Sequence, residues 1–392
     1  MRDDLRQQQI AQARQALLAG GLELTGALVG AWYDRAWIMQ SWRRCLAHGQ
    51  QPDQPVVFEQ LSPHARARAA EAHHALLAAA RPELRRLAQA VAPIRYFAIL
   101  TDAAGTVIDT AGAIDHAEQP VHAIARVGVD LSERSIGTSA IGAALGEQVP
   151  VWLHRGEHFF RDTSVYSCAG APLFGPGGQC VGMLDLTGVQ VPERPELKHL
   201  VAQSARGIEE ALALAVPHRL RLHLAWPAGW RLSGGDGDGG LLCLDAEGGV
   251  ASANGAARQM LPALHALRQG TMHASDLFAL PWPTLFDLAR RGEASLVPLW
   301  SGLRLRVRAE LAAQAAQPGA PRAAAEDGPP PRPLRALETE LIHQAVREAG
   351  GNVAQAARAL GLSRATVYRR LAAPHGPHSR AGRGVTDARS AD

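Results

Sequence analysis

The stretch AGAPLFGPGGQCVGMLDL, Ala169–Leu186, holds two apolar runs around Gly175-Pro176-Gly177-Gly178. Ala169 to Phe174 and Cys180 to Leu186 read as the arms of a β-hairpin, because glycine and proline supply the turn conformations. Downstream, Leu197, Leu200, Val201, Ser204, Ile208, Ala211 and Leu212 follow a 3.6-residue spacing, which predicts a long amphipathic helix. Upstream, the pattern predicts a strand over Ile94 to Thr101, a turn at Asp102 to Gly105 and a return strand from Val107. Gly137 to Leu145 reads as a helix starting at Thr138 or Ser139, and Val149 to Leu153 as a further strand. Strand pairs flanked by helices make an α+β domain over residues 81–215.

Residues 1–80 are rich in alanine, leucine, glutamine and arginine and read as a helical segment, with helix stops at Gly49 and Pro52. A Gly/Asp stretch, Ser233 to Gly240, breaks the chain, so a second, smaller unit is expected over 236–310. It opens with a strand at Leu241 to Asp245, turns at Ala246 to Gly249 and returns through Val250 to Asn254. Late strands are expected at Leu296 to Leu299 and Leu303 to Val307. Residues 311–333 are Ala, Pro, Gln and Gly and read as a linker. Residues 334–372 are helical again, and 373–392 read as a disordered polar tail.

Length and composition bound the function. A chain of 392 residues with 47% apolar content supports two to four globular domains. No run of about 18 apolar residues spans a membrane, and Met1 to Gln8 lacks the apolar core of a signal peptide. A cytoplasmic protein with no membrane partner is therefore expected. Cys45, Cys168, Cys180 and Cys243 show no C-x-x-C spacing, which disfavours a disulfide framework or a structural zinc site. Net charge is +3, and Lys198 is the sole lysine.

The C-terminal segment has the grammar of a helix-turn-helix. Leu337, Leu341, Ala345 and Ala349 share one helical face, and Gly350-Gly351 ends that helix. Asn352 then stands as an N-cap with Gln355 three residues on. Gly361 supplies the turn and Ser363 caps the third helix, where Val367 and Leu371 face inward. Arg364, Thr366, Tyr368, Arg369 and Arg370 are left for the groove and phosphates of double-stranded DNA. The bland alternative is a small bundle with a solvated basic face.

LETELIHQAVREAGGNVAQAARALGLSRATVYRRL, Leu337–Leu371, closely resembles the Fis-type helix-turn-helix of bacterial enhancer-binding activators. The resemblance implies that Ser363, Arg364, Thr366, Tyr368, Arg369 and Arg370 are the DNA-facing positions, and a homodimer reading a roughly palindromic site. Five upstream motifs then occur in order: Ser41-Trp42-Arg43-Arg44-Cys45, Gly137-Thr138-Ser139-Ala140-Ile141-Gly142, Gly156-Glu157-His158-Phe159, Cys168 to Pro172, and Gly182 to Gly188. Together they resemble the sensory half of the acetoin-catabolism activator family, a GAF domain behind an N-terminal helical segment. The family usually carries Asn in place of Ser139, and Ser-Ala in place of Ala169-Gly170, departures that bear on the ligand. LLCLDAEGGVASANGAARQML, Leu241–Leu261, resembles the opening of a PAS domain.

His154, His158 and Cys168 are metal ligands by residue type, but their spacing fits no standard site, so no metal and no cofactor are expected. Trp152, His154, His158, Phe159, Tyr166 and Cys168 are instead the candidate lining of a pocket for a small effector such as an alcohol, ketone or diol. Core packing explains Trp152 and Phe159 equally well. Enhancer-binding activators also carry an ATPase, whose phosphate loop needs G-x-x-x-x-G-K-[ST]. This chain has no such motif, and Lys198 lies outside any glycine loop. The expectation is a sensor-linked, DNA-binding regulator that is not an enzyme and does not hydrolyse ATP. The rivals are a modulator pairing with a full-length ATPase-bearing relative, and a non-sensing architectural DNA-binding protein. RNA polymerase is a further candidate partner.

Overall fold

The computed structural model describes residues 8–15, 35–227, 239–269, 271–312, 346 and 352–355. The chain divides into two units, Met1–Gln314 and Ala315–Asp392. The first contains helices α1 (Trp37–Ala47), α2 (Pro63–Ala72) and α3 (His74–Val91), ahead of strands β1 (Tyr96–Asp102) and β2 (Val107–Ala111). Short helices α4 (Gln119–Ile124), α5 (Glu133–Ile136) and α6 (Ala140–Glu147) lead to β3 (Val151–His154), β4 (Tyr166–Phe174) and β5 (Cys180–Val189). The long helix α7 (Leu197–Ala215) closes this layer.

The expected hairpin is β4–β5, antiparallel with Ala171 opposite Leu184. The sheet order is β2-β1-β5-β4-β3, so β5 lies at the centre between β1 and β4. Successive side chains on a strand point to opposite faces. Ala98, Leu100, Ala169, Ala171, Leu184 and Leu186 therefore pack beneath α3 and α7, against Leu84, Leu87, Val201 and Ile208. Phe97, Ile99 and Met183 take the other face with Ile136, Ala140, Ile141 and Tyr166. Both faces are covered, which is why β1 reads as a nearly unbroken apolar run. Helix α3 crosses the boundary expected at residue 80, because Leu76 and Ala80 belong to the same core as Leu84.

A second five-stranded antiparallel sheet has the order β8-β7-β6-β10-β9. Its strands are β6 (Leu220–Ala225), β7 (Gly240–Leu244), β8 (Val250–Ala253), β9 (Ser295–Pro298) and β10 (Arg304–Leu311). Helices α8 (Gly255–Met260), α9 (Ala274–Leu277) and α10 (Pro283–Arg291) accompany it. Here the structure departs from the sequence expectation. The Gly/Asp stretch lies between β6 and β7, inside the unit, because Leu220, Leu222 and Leu224 fill the centre of its core. Both sheets share one spatial order, but the central strand comes last in the first sheet and first in the second.

Helix α7 joins the two sheets. Ala213 packs on Leu241 and Cys243, and Ser252 Oγ donates to the Ala213 carbonyl at 2.8 Å. The buried Glu209 accepts from Phe174 N at 3.0 Å and Gly255 N at 3.1 Å, tying the hairpin to α8. The Arg258 guanidinium donates to the Pro176 carbonyl in the hairpin turn. Gly178, at φ +84°, leaves room for that guanidinium, which a Cβ would meet at 3.0 Å.

Candidate ligand-binding site

On the face of the first sheet away from α3 and α7, a cavity of about 20 Å³ is lined by Ile99, Ile136, Ser139, His158, Tyr166, Cys168 and Thr187, among others. Space of that size holds about one water molecule. Each wall has a local cause. Ser139 is extended and its side chain accepts from Gly142 N at 3.1 Å, capping α6. An Asn at this place would cap equally well. Gly137 sits at φ +67°, where a side chain is strained, and a Cβ there would also lie 2.9 Å from the Phe160 ring.

His158 follows a tight turn, Arg155–Glu157, with Arg155 at φ +46°. Glu157 is wholly buried and anchors that turn. Its carboxylate accepts from the His154 amide at 2.9 Å and from Arg35 at 2.7 and 3.0 Å. Its carbonyl accepts from Trp42 Nε1 at 2.9 Å. The Ser41 to Cys45 motif thus acts as a clamp on the site. Ser41 Oγ is 2.6 Å from Thr138 Oγ1, and Arg44 binds Glu133 at 2.7 and 2.9 Å.

The cavity's polar groups are uncharged. His158 Nδ1 lies 2.9 Å from the Arg155 carbonyl, which only accepts, so Nδ1 carries the proton and Nε2 faces Cys168 Sγ at 3.7 Å. Burial lowers His158 to about 4, keeping the ring neutral near pH 7. Burial pushes the Cys168 thiol well above its ordinary value. Thr187 Oγ1 lies 3.2 Å from Cys168 Sγ and also hydrogen-bonds Asp185 Oδ2.

Asp185 is the residue that reading the sequence for sites passed over. It sits on β5 between Ile99 and Gly170 of the neighbouring strands and has no solvent exposure. Burial raises its carboxyl to about 7, against the hydrogen bond with Thr187, which lowers it. A protonated Asp185 resolves the competition for the single Thr187 proton. Ionised Asp185 accepts the Thr187 hydroxyl proton; once protonated it donates to Thr187 Oγ1 instead, freeing the hydroxyl proton for Cys168 Sγ, whose S–H meets His158 Nε2. Asp185 Oδ1 has no hydrogen-bond partner among the described residues. The available signal was an acid inside the apolar run Met183-Leu184-Asp185-Leu186.

Of the six expected lining residues, the structure brings His158, Tyr166 and Cys168 together at the cavity. The other three lie elsewhere. Trp152 and His154 project through the opposite face of the sheet, beside Tyr96, Arg194 and Leu197, where His154 Nδ1 is 2.6 Å from Ser167 Oγ. The Arg35 guanidinium lies 3.9 Å over the Trp152 ring. Phe159 packs edge-on against Trp42 and Phe160 in a separate apolar cluster. Strand alternation is the cause for Trp152: its neighbours Val151 and Leu153 take the cavity-side core. At Gly170, one of the departures noted above, a Cβ would meet Met183 Cε at 2.5 Å, so the Met183 side chain has to shift to admit one. No group of three or more His, Cys, Asp or Glu residues poised for a metal occurs among the described residues. Nor is any helix there long and apolar enough to cross a membrane.

In the second unit, Asn352 Oδ1 accepts from Ala354 N at 3.1 Å and Gln355 N at 3.2 Å, the expected N-cap. Ser363, Arg364, Thr366, Tyr368, Arg369 and Arg370 lie outside the described residues.

Residues 333–373 match the family described as "Bacterial regulatory protein, Fis family", behind the α+β region that holds the cavity. Residues 10–210, just over half of the chain, match "MimR, N-terminal domain", and the chain belongs to that family. It is 31% identical over 173 residues to the acetoin catabolism regulatory protein of Cupriavidus necator, covering 44% of this chain and 26% of the relative. It is 26% identical over 186 residues to the acetoin dehydrogenase operon transcriptional activator AcoR of Bacillus subtilis, covering 46% and 30%. It is 30% identical over 139 residues to the propane 2-monooxygenase operon transcriptional activator MimR of Mycolicibacterium smegmatis, covering 35% and 24%. The chain thus spans about a quarter to a third of the length of these relatives. A solved Escherichia coli DhaR(N)–DhaL complex aligns at a TM-score of 0.43 and 16% identity, over 71% of this chain and 99% of that one.

Proposed function

We propose that this chain is a DNA-binding transcription regulator that senses a small, uncharged, hydroxyl-bearing metabolite at the cavity beside His158, Cys168 and Thr187. The observation that carries the reading is the small set of uncharged hydrogen-bonding groups, His158, Cys168 and Thr187, in an otherwise apolar cavity wall. Thr187 in turn hydrogen-bonds the buried Asp185, whose Oδ1 has no partner among the described residues, and a ligand O–H is placed at Thr187 and Cys168. A carboxylate or an ammonium ion finds no counter-charge among the cavity-lining residues. Tyr166, with its hydroxyl engaged by the Pro120 carbonyl at 2.9 Å, offers its ring as an apolar wall. The relatives' names concern acetoin and a propane 2-monooxygenase operon, both chemistries of small uncharged molecules.

The ligand opens the cavity and displaces the loop holding His158 and the turn before α6. Both are clamped by α1, so occupancy is read out mechanically through Trp42 and Ser41. The chain binds a palindromic operator as a homodimer through Ser363, Arg364, Thr366, Tyr368, Arg369 and Arg370. It acts without ATP hydrolysis, since it has no phosphate loop and its sole lysine, Lys198, lies in α7.

Thermal unfolding with a panel of small alcohols, diols and hydroxyketones tests the sensor. A ligand at a hundredfold excess over Kd stabilises the protein by ~2.7 kcal/mol. Thr187→Val removes the shift, and carboxylates and amines give none. By linkage, the active ligand changes operator affinity, and operator changes ligand affinity, by the same factor. Equal shifts from charged and neutral ligands, or none from any, refute the sensor. Failure to bind duplex DNA refutes the regulator.

A further inference from the structure

The core of the second sheet lies on one face, and among the described residues the other face is only partly covered. Leu305, Val307 and Ala309 of β10 point into its core, so Arg304, Arg306, Arg308 and Glu310 alternate onto the opposite face. Across the ladder, Arg308 stands beside His223, Glu310 beside Arg221, and Arg306 between Ala225 and Leu296. Arg304 and Arg308 are exposed, while Arg306, Arg221 and His223 are half-buried. Helix α7 covers only the Leu241 and Cys243 end of this face. Among the described residues this face carries four arginines, with Glu310 binding Arg308 at 3.1 Å and lying 3.8 Å from His223, and Glu210 of α7 close to Cys243 at the covered end. The β10 arginines form a straight row with a step of about 7 Å. Leu296, 53% exposed, and Trp226, 41% exposed, give it an apolar border.

The charge selects the occupant. A second copy docking face to face would set this patch against itself, bringing arginines onto arginines. A polyanion meets every arginine with a phosphate. Strand β10 ends at Leu311 and the Fis-type match begins at residue 333. The 21 intervening residues, 312–332, reach at most about 75 Å at roughly 3.5 Å per residue. A duplex held by the C-terminal module is thereby kept at high local concentration near the arginine row.

We propose that the outer face of the second sheet, built on Arg304, Arg306, Arg308 and Arg221, is an additional, sequence-independent contact surface for the DNA backbone. This rests on the reading of the chain as a DNA-binding regulator. It extends the footprint beyond the bases read by the helix-turn-helix and makes a large part of the affinity sensitive to salt. Because the same sheet is joined to the sensor through α7, the surface also offers the sensor a second grip on DNA.

Fluorescence anisotropy of the full chain on a labelled operator and a scrambled duplex, from 50 to 200 mM salt, tests this. Each phosphate contact contributes about 0.9 to the slope of log K against log salt. The triple variant Arg304→Gln, Arg306→Gln, Arg308→Gln loses up to about 2.7 of slope per protomer, so its affinity falls about 40-fold less than wild type over that range. Its loss at low salt is equal on both duplexes, which preserves sequence preference. Glu310→Gln moves the other way and tightens binding at low salt. An unchanged slope in the triple variant, with its melting unaltered and wild type binding normally, overturns the surface while leaving the regulator reading intact. Loss of binding to an acidic protein such as RNA polymerase, with the DNA slope unchanged, overturns it also. If wild type binds neither duplex, both readings fall.

Discussion

Asp185→Asn isolates the energetic consequence of burying a carboxyl without a cation. The folded state holds Asp185 at about 7, against an ordinary value of 3.8. Between those values the folded protein binds the proton more tightly than the unfolded chain, so stability is highest below pH 4. It is lost as pH rises through 7, at about 1.4 kcal/mol per pH unit, and is constant above that. Asparagine keeps the shape and cannot ionise. The variant's stability relative to wild type should therefore rise by about 3 kcal/mol between pH 5 and pH 8. Comparing the two proteins at each pH removes the contributions of His158, lowered to about 4 by burial, and Glu209, raised to about 7 by burial. Any fixed cost of placing an amide beside Thr187 shifts all pH values equally and leaves the trend. The assay is urea unfolding followed by tryptophan fluorescence at pH 5, 6, 7 and 8. A difference that stays flat across that series would show that Asp185 is ionised at neutral pH. The neutral relay through Thr187, Cys168 and His158 would then be wrong.

Two further outcomes follow from the anchoring of the site and from the C-terminal module. Glu157→Gln breaks the buried pair with Arg35, where both side chains are under 10% exposed, and should cost about 3–5 kcal/mol. Adding Arg35→Met should return part of that loss, and a single variant as stable as wild type in urea would refute the anchoring role. Arg364→Ala should cost ~1–3 kcal/mol on the operator and relax preference at one base position. Arg370→Ala should weaken all duplexes alike and reduce the salt slope by about 1. Identical behaviour of the two variants on operator and scrambled DNA would remove the distinction between base and backbone contacts.

Local patterns in the sequence carried much of the architecture. The Ala169–Leu186 hairpin, the long helix from Leu197 and the caps at Ser139 and Asn352 are all set by residues within a few positions of one another. Turn chemistry, helical periodicity and capping are short-range effects, so they are readable without coordinates. The order of the five sensor motifs was equally legible, though not why they belong together. Only the fold shows Ser41, Trp42 and Arg44 gripping Thr138, Glu157 and Glu133. The Arg35–Glu157 pair spans 122 positions, beyond any local rule. Strand β6 was missed although Leu220, Leu222 and Leu224 alternate, because the glycine-rich break seemed to open the next domain. Trp152 and His154 were separated from Tyr166 and Cys168 by which face each strand turns toward the cavity, and that follows from pairing register across distant strands, while His158 and Phe159 parted in the loop between β3 and β4. Asp185 became a site for the same reason. Its identity is in the sequence, but its burial, its orphan oxygen and the lack of a cation beside it exist only once β5 lies between β1 and β4.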